Sequence, residues 1–284
     1  MTAIHTLLTG FFDYAGLYPP ASLSLRSAAN NYLSYASGKH AWALGRFIIN
    51  LDRLEELRSI AGDRMEQFKL SVILPDADSL AVISREINSG MPIKAIEMKS
   101  TDPETIHRIP KMIPETVNAY IEVPLDINGI AALQSISSAK MRAKIRMGGV
   151  TAEAFPPASK VVPMLSALAK LRLPFKATAG LHHPIRSHQP LTYDPHSTTS
   201  TMHGFLNLCC AAAILYFGGG EQDAEQVLQE TDLAAWHADQ ESLQWRHLKW
   251  TDDQLATLRS RFFTSVGSCS FEEPTHDLEA LGWL

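Results

Sequence analysis

The sequence predicts an α/β protein and, within that class, a (β/α)8 barrel of the TIM type. Three observations predict it. Short β-rich runs alternate with helical segments from Arg46 to Gly180. The six units so formed recur at a pitch of about 25–30 residues, as parallel strand–helix–strand connections do. No Gly-x-Gly-x-x-Gly opens the first of these helices, which argues against a doubly wound sheet. A chain of 284 residues suits one barrel domain.

Residues 1 to about 40 read as a helical extension of that single domain. Helical spacing runs to Phe12, breaks at Gly16 and Pro19-Pro20, and resumes from Ser24 to Ser37. The polar-aromatic turn from Asp13 to Pro20 reads as a structural cap on one barrel end. Strands are expected at Arg46–Asn50, Phe68–Leu74, Ile93–Met98, Val117–Val123, Met141–Met147 and Pro174–Ala179. Pro75, Pro124, Gly148-Gly149 and Gly180 punctuate their ends. After residue 200 the pattern weakens: three helical segments leave Ser242–Trp250 and Phe262–Val266 as the remaining strands. The barrel is therefore expected to be distorted or incomplete in its C-terminal third. Pro184–Ser200 is a long polar loop of the kind that often carries function.

Composition narrows the function classes. The hydrophobic fraction of 45% supplies a core, and the charged fraction of 19% is low, which favours a homo-oligomer. The net charge of −5, with no basic stripe, argues against nucleic acid as a partner. Met1 to Phe12 lacks the basic start and cleavage site of a signal peptide. The apolar run Phe205–Phe217 is too short to span a bilayer and reads as a buried helix. These features favour a cytoplasmic chain that does not associate with membranes. The three cysteines form no metal or disulfide spacing. They read as buried apolar residues, with a nucleophilic Cys269 in Gly-Ser-Cys-Ser as the sharper alternative.

Parallel α/β folds place their sites at the carboxyl ends of strands. There the sequence carries Glu97, Glu122, Lys144 with Arg146, and Lys176 with Thr178. A strand buried on both faces normally reads as continuous Val, Ile and Leu, so Ala-Lys-Ile-Arg and Phe-Lys-Ala-Thr break the rule. Buried cations must be paired or used. The pairing reading is an internal network with Glu97 and Glu122. The functional reading makes Arg146 a bidentate clamp for a carboxylate or phosphate, with backbone amides around Gly148, Gly149 and Gly180 approaching the same anion. His182 and His183 follow the sixth strand and are candidates for proton transfer or substrate binding.

Lys176-Ala-Thr178-Ala-Gly180 resembles the Schiff-base lysine strand of class I aldolases, notably the deoxyribose-phosphate aldolase type. The resemblance implies that Lys176 is the nucleophile and that Lys144, on a neighbouring strand, lowers its pKa. The His-His-Pro continuation departs from that family's pattern. The expectation is thus a lyase, aldolase or isomerase acting on a small anionic carbonyl compound, without a cofactor. Lys176, Lys144, Glu122 and His182 would be catalytic. Arg146, Gly148, Gly149, Thr178, Gly180, His183 and Glu97 would bind substrate. Two other readings remain: a divalent-metal enzyme using His182 or His183 with Glu97 or Glu122, and a non-catalytic anion-binding or assembly protein.

Overall fold

A computed structural model of the protein describes residues 2–284. Its strands in chain order are β1 (Phe12–Tyr14), β2 (Leu44–Asn50), β3 (Leu70–Ile73), β4 (Ile93–Lys99), β5 (Asn118–Glu122), β6 (Arg142–Arg146) and β7 (Phe175–Thr178). They continue with β8 (Ser187–Pro190), β9 (Thr199–Met202), β10 (Trp236–Ala238), β11 (Ser242–Trp245), β12 (Leu248–Thr251) and β13 (Phe263–Ser268). The strands β1 to β7 and β13 close into a barrel in the order β1-β13-β7-β6-β5-β4-β3-β2. Every neighbouring pair in it is parallel. This is the predicted TIM-like architecture, complete at eight strands.

Two expectations about where the strands lie are corrected. The N-terminal stretch is not wholly a helical extension, because Phe12–Tyr14 is the first barrel strand and pairs with both β2 and β13. Ser242–Trp250 does not supply a barrel strand. Its two halves are β11 and β12, which fold back antiparallel about Arg246-His247 and pair with β10 in a separate sheet. A two-residue connection joins antiparallel neighbours, whereas a parallel barrel strand needs a long crossover. Arg246 has φ +50°, as a tight hairpin of this hand requires. The expected eighth strand, Phe262–Val266, is β13.

Several helices between barrel strands start on a local capping signal. Ser24 caps the helix Leu25–Ser37, Asp102 with Pro103 starts Pro103–Arg108, and Asp126 accepts from the amides of Asn128 and Gly129 to start Ile127–Ser138. The long return from β7 to β13 carries the hairpin β8–β9, the helices Phe205–Tyr216 and Glu221–Gln229, and the β10–β12 sheet. Phe205–Tyr216 is buried at every position, as its apolar run predicts. Its Asn207 side chain accepts from the Arg186 amide and donates to the carbonyls of Val227 and Glu230. The helix thereby anchors the base of the hairpin at no cost in unsatisfied polar groups. Among the described residues, no helix is long and apolar enough to cross a membrane.

The lower barrel is apolar and aromatic. Phe175 and Phe263 stack at 4.6 Å, and Tyr120 donates or accepts at Thr264 Oγ1 at 2.9 Å. Above this layer the interior turns ionic.

Candidate active site

Register places the charged residues side by side. Glu122 lies opposite Lys144, and Lys144 lies opposite Lys176. Two like charges on neighbouring strands repel, so a carboxylate must separate them. Glu97, arriving on β4, does so. Its Oε1 accepts from Lys176 Nζ at 2.8 Å, and its Oε2 meets Lys144 Nζ at 2.7 Å. Ser71 Oγ donates to the same Oε1 at 2.7 Å.

The second partner of Lys176 is Asp13 of β1, whose Oδ2 lies 2.6 Å from Nζ. Ser265 Oγ donates to that oxygen at 2.9 Å, and Arg46 Nη1 pairs with it at 3.5 Å. Asp13 Oδ1 accepts from the Arg46 amide at 2.8 Å. Gly45 makes this approach possible: a Cβ there would lie 2.5 Å from Asp13 Oδ1. The second partner of Lys144 is Glu122, with Oε2 at 2.9 Å. Three cations, Arg46, Lys144 and Lys176, are thus matched by three carboxylates, Asp13, Glu97 and Glu122.

Burial raises the carboxyl pKa of Asp13, but the charges of Lys176 and Arg46 outweigh it and hold the group below its usual value. Glu97 follows the same logic, with the two lysines overcoming burial to hold it well below the carboxylate range. For Lys176 burial favours the neutral amine, yet Asp13 and Glu97 prevail and raise its pKa. Lys144 is raised likewise by Glu97 and Glu122 against its burial. The implied depression of the Lys176 pKa by Lys144 is therefore corrected: the flanking carboxylates reverse its sign.

A cavity of about 880 Å³ opens above the network at the carboxyl ends of the strands. Glu97, Glu122, Lys144, Arg146, Gly149, Thr178, Gly180, His182 and His183 all reach its wall, as the sequence predicts for a site. Lys176 does not. It is fully buried beneath, 5.4 Å from the centre of the Tyr120 ring, and both of its carboxylate contacts are aligned hydrogen bonds. Lys144 forms the floor instead, and its two ion pairs lack hydrogen-bond alignment.

Arg146 is exposed at the mouth, its Nε donating to the Gly148 carbonyl at 3.0 Å. Among the described residues neither Arg146 nor the exposed Lys99 has an acidic partner within ion-pair distance. Both line the cavity. The glycines divide. A Cβ on Gly148 or on Gly180 would lie 2.5 Å from Phe155 Cε1 and 2.9 Å from the Cα of the other, so these two serve close packing of adjacent strand ends. Gly149 stays beside Arg146 at the wall.

The histidines separate as well. His183 pairs with Asp277 at 2.7 Å. His182 Nδ1 lies 3.1 Å from Ser268 Oγ and 3.2 Å from Glu273 Oε2, with Cys269 Sγ at 3.9 Å. Glu97 and Glu122 are engaged by lysines, so the histidine and glutamate set expected for a metal is not assembled. Among the described residues no cluster of His, Cys, Asp and Glu is arranged to hold a metal ion. Burial lowers the His182 pKa, but contacts with Cys269 and Glu273 outweigh it and bring it up to about 10.

A folded-state pKa above the usual 6.5 makes His182 stabilising below that value, and the contribution is lost as pH rises through about 10. Glu273→Gln is expected to bring the His182 titration down towards the free-imidazole range and to shrink the stability advantage at neutral pH. Ring NMR shifts against pH check this. A wild-type His182 titrating near 6.5 would refute the pairing.

The hairpin β8–β9 and its loop complete the wall with Gln189, Leu191, Tyr193 and Met202. Tyr18, Pro19 and Pro20 form part of the wall too, so the N-terminal turn is part of the site rather than a distant cap. Fold and site together define a parallel αβ-barrel protein with a charge-paired floor beneath a cavity at the carboxyl ends of its strands. Comparison with protein-family models and with curated proteins found no match.

Proposed function

We propose that the protein is a lyase or isomerase for a small carbonyl compound carrying a carboxylate or phosphate. It works through an enolate stabilised by the Lys144 ammonium. One observation carries the reading: Lys144 is a protonated lysine on the cavity floor, held between Glu97 and Glu122, beneath a mouth that bears unpaired Arg146 and Lys99.

The chemistry follows from that placement. Arg146 and Lys99 attract and orient the anionic end of the substrate. Glu122, the more exposed carboxylate of the Lys144 pair at 20%, takes the proton from the carbon beside the carbonyl. The ammonium of Lys144 faces the oxygen on which negative charge develops. Returning the proton to a different carbon isomerises the substrate, and expelling a carbonyl fragment cleaves it. Lys176 and Asp13 act from below by fixing Glu97 and so the position of Lys144. A Schiff base at Lys176 has little support in this geometry, because the amine is protonated, doubly paired and away from the cavity wall.

Deuterium exchange tests the reading whatever product the reaction forms. A panel of small 2-oxo acids and phosphorylated ketones in D2O, followed by proton NMR, is expected to yield at least one compound whose hydrogens beside the carbonyl exchange faster with protein than without. Absence of catalysed exchange throughout the panel would overturn it. Borohydride added to the same mixtures is expected to leave Lys176 unmodified. A reduced adduct on Lys176 in peptide mass spectra would reinstate the Schiff-base mechanism.

A further inference from the structure

Cys269 follows β13 and lines the cavity, although only 5% of it is exposed. Its sulfur is surrounded from several elements. His182, in the loop after β7, places both ring nitrogens 3.9 Å from Sγ. Tyr193, beyond β8, brings its hydroxyl to 3.6 Å. Glu273, in the first turn of the helix Glu272–Ala280, holds His182 Nδ1 at 3.2 Å.

At equal distances from both ring nitrogens, the sulfur has no single N–H as its partner. The ring therefore acts on it chiefly as a charge. The Glu273 carboxylate, 3.2 Å from His182 Nδ1, favours the protonated ring, and a cation beside a thiol favours the thiolate. The other two cysteines differ. Cys209 and Cys210 lie inside the helix Phe205–Tyr216, where burial pushes the Cys209 thiol up to about 12 and the Cys210 thiol well above its usual value.

We infer that Cys269 is a nucleophile of this cavity, a thiolate held by His182 that adds reversibly to the carbonyl carbon of an aldehyde-bearing ligand. The sulfur–carbon bond forms as the carbon–oxygen π bond breaks. The oxygen then takes the proton of the His182 imidazolium, leaving a neutral imidazole and a hemithioacetal. No oxidant or co-reactant is required. The aldehyde half of this inference rests on the carbonyl reading above, whereas the nucleophilic thiol does not.

Iodoacetamide labelling of the folded full-length chain, resolved by peptide mass spectrometry, tests both halves. Cys269 is expected to react at neutral pH about tenfold faster than N-acetylcysteine. Cys209 and Cys210 are expected to stay unlabelled, which reports that the fold is intact. His182→Gln is expected to slow labelling of Cys269 about tenfold. A wild-type labelling rate no faster than that of N-acetylcysteine would overturn the nucleophile whatever the variant does. Glyoxylate, a small anionic aldehyde, is expected to protect Cys269 reversibly. Fast labelling that glyoxylate leaves unchanged would overturn the aldehyde half alone. Labelling requires no turnover, so its failure and a failed exchange assay are separate results.

Discussion

Glu97→Gln is expected to be the most destabilising single change in the molecule, lowering the free energy of unfolding by about 3–5 kcal/mol, as removal of one partner from a buried ion pair does. The reason lies in register. Lys144 and Lys176 are opposite one another on β6 and β7, and Glu97 is the carboxylate that touches both. A neutral amide there leaves two buried ammonium groups facing each other with less compensating charge. Urea unfolding measures the loss as a lower midpoint at unchanged slope.

Adding Lys176→Met to that variant is expected to recover part of the loss, since it removes the uncompensated charge while Asp13 keeps Arg46. A Glu97→Gln protein within about 1 kcal/mol of wild type, the range of an exposed ion pair, would show that the network contributes little. The pH dependence has a definite sign. Asp13 and Glu97 are held below their usual values, so their contribution is present above about pH 4 and is lost only as acid passes below that. Lys176 is held above its usual 10.5, so its contribution is complete below that value and is lost as pH rises beyond it.

Lys144→Met is expected to have the opposite profile, with a large effect on reaction and a small one on folding. Catalysed deuterium exchange should fall about 10²–10³-fold, the scale on which one charge-stabilising donor acts at a developing oxyanion. Folding loses less than in Glu97→Gln because Glu97 Oε1 keeps Lys176 and Ser71 and only Oε2 loses its partner, while Glu122 is exposed enough to recruit water. Retained exchange in this variant would sink the role given to Lys144. A melting temperature lowered as far as in Glu97→Gln would recast the lysine as mainly structural. Separating kcat from KM sharpens the result: loss confined to KM would mean that Lys144 binds the anion rather than the developing enolate.

The class of fold was legible because parallel strands buried on both faces leave a plain trace, and seven of the eight barrel strands fall where the sequence places them. What stayed hidden is short or antiparallel. β1 has only Phe12, Asp13 and Tyr14, too few residues for a period to show, and it follows an apolar helix with no contrasting composition. Counting strand charges would not have exposed it, because Lys94, Lys99, Arg142 and Arg146 also stand on barrel strands. The exchange of roles between the two lysines could not be read from one-dimensional pattern, because both occupy the same phase of adjacent strands. Only the closure of the barrel decides that Lys176 lies under the floor and Lys144 forms it. Cys269 and Glu273 were visible as residues, but their meeting with His182 requires the ends of β7 and β13 to be neighbours.

The hairpin β8–β9 lies outside the barrel and is clipped at its base by Asn207. Its removal or exchange would cut no barrel strand and break none of the six ion-paired positions below. The protein is therefore modular at the scale of a single loop. On the proposed function, the hairpin would help to select what enters the cavity and the strands would carry the chemistry. A lineage that kept the floor and varied the hairpin could change its diet without relearning its chemistry.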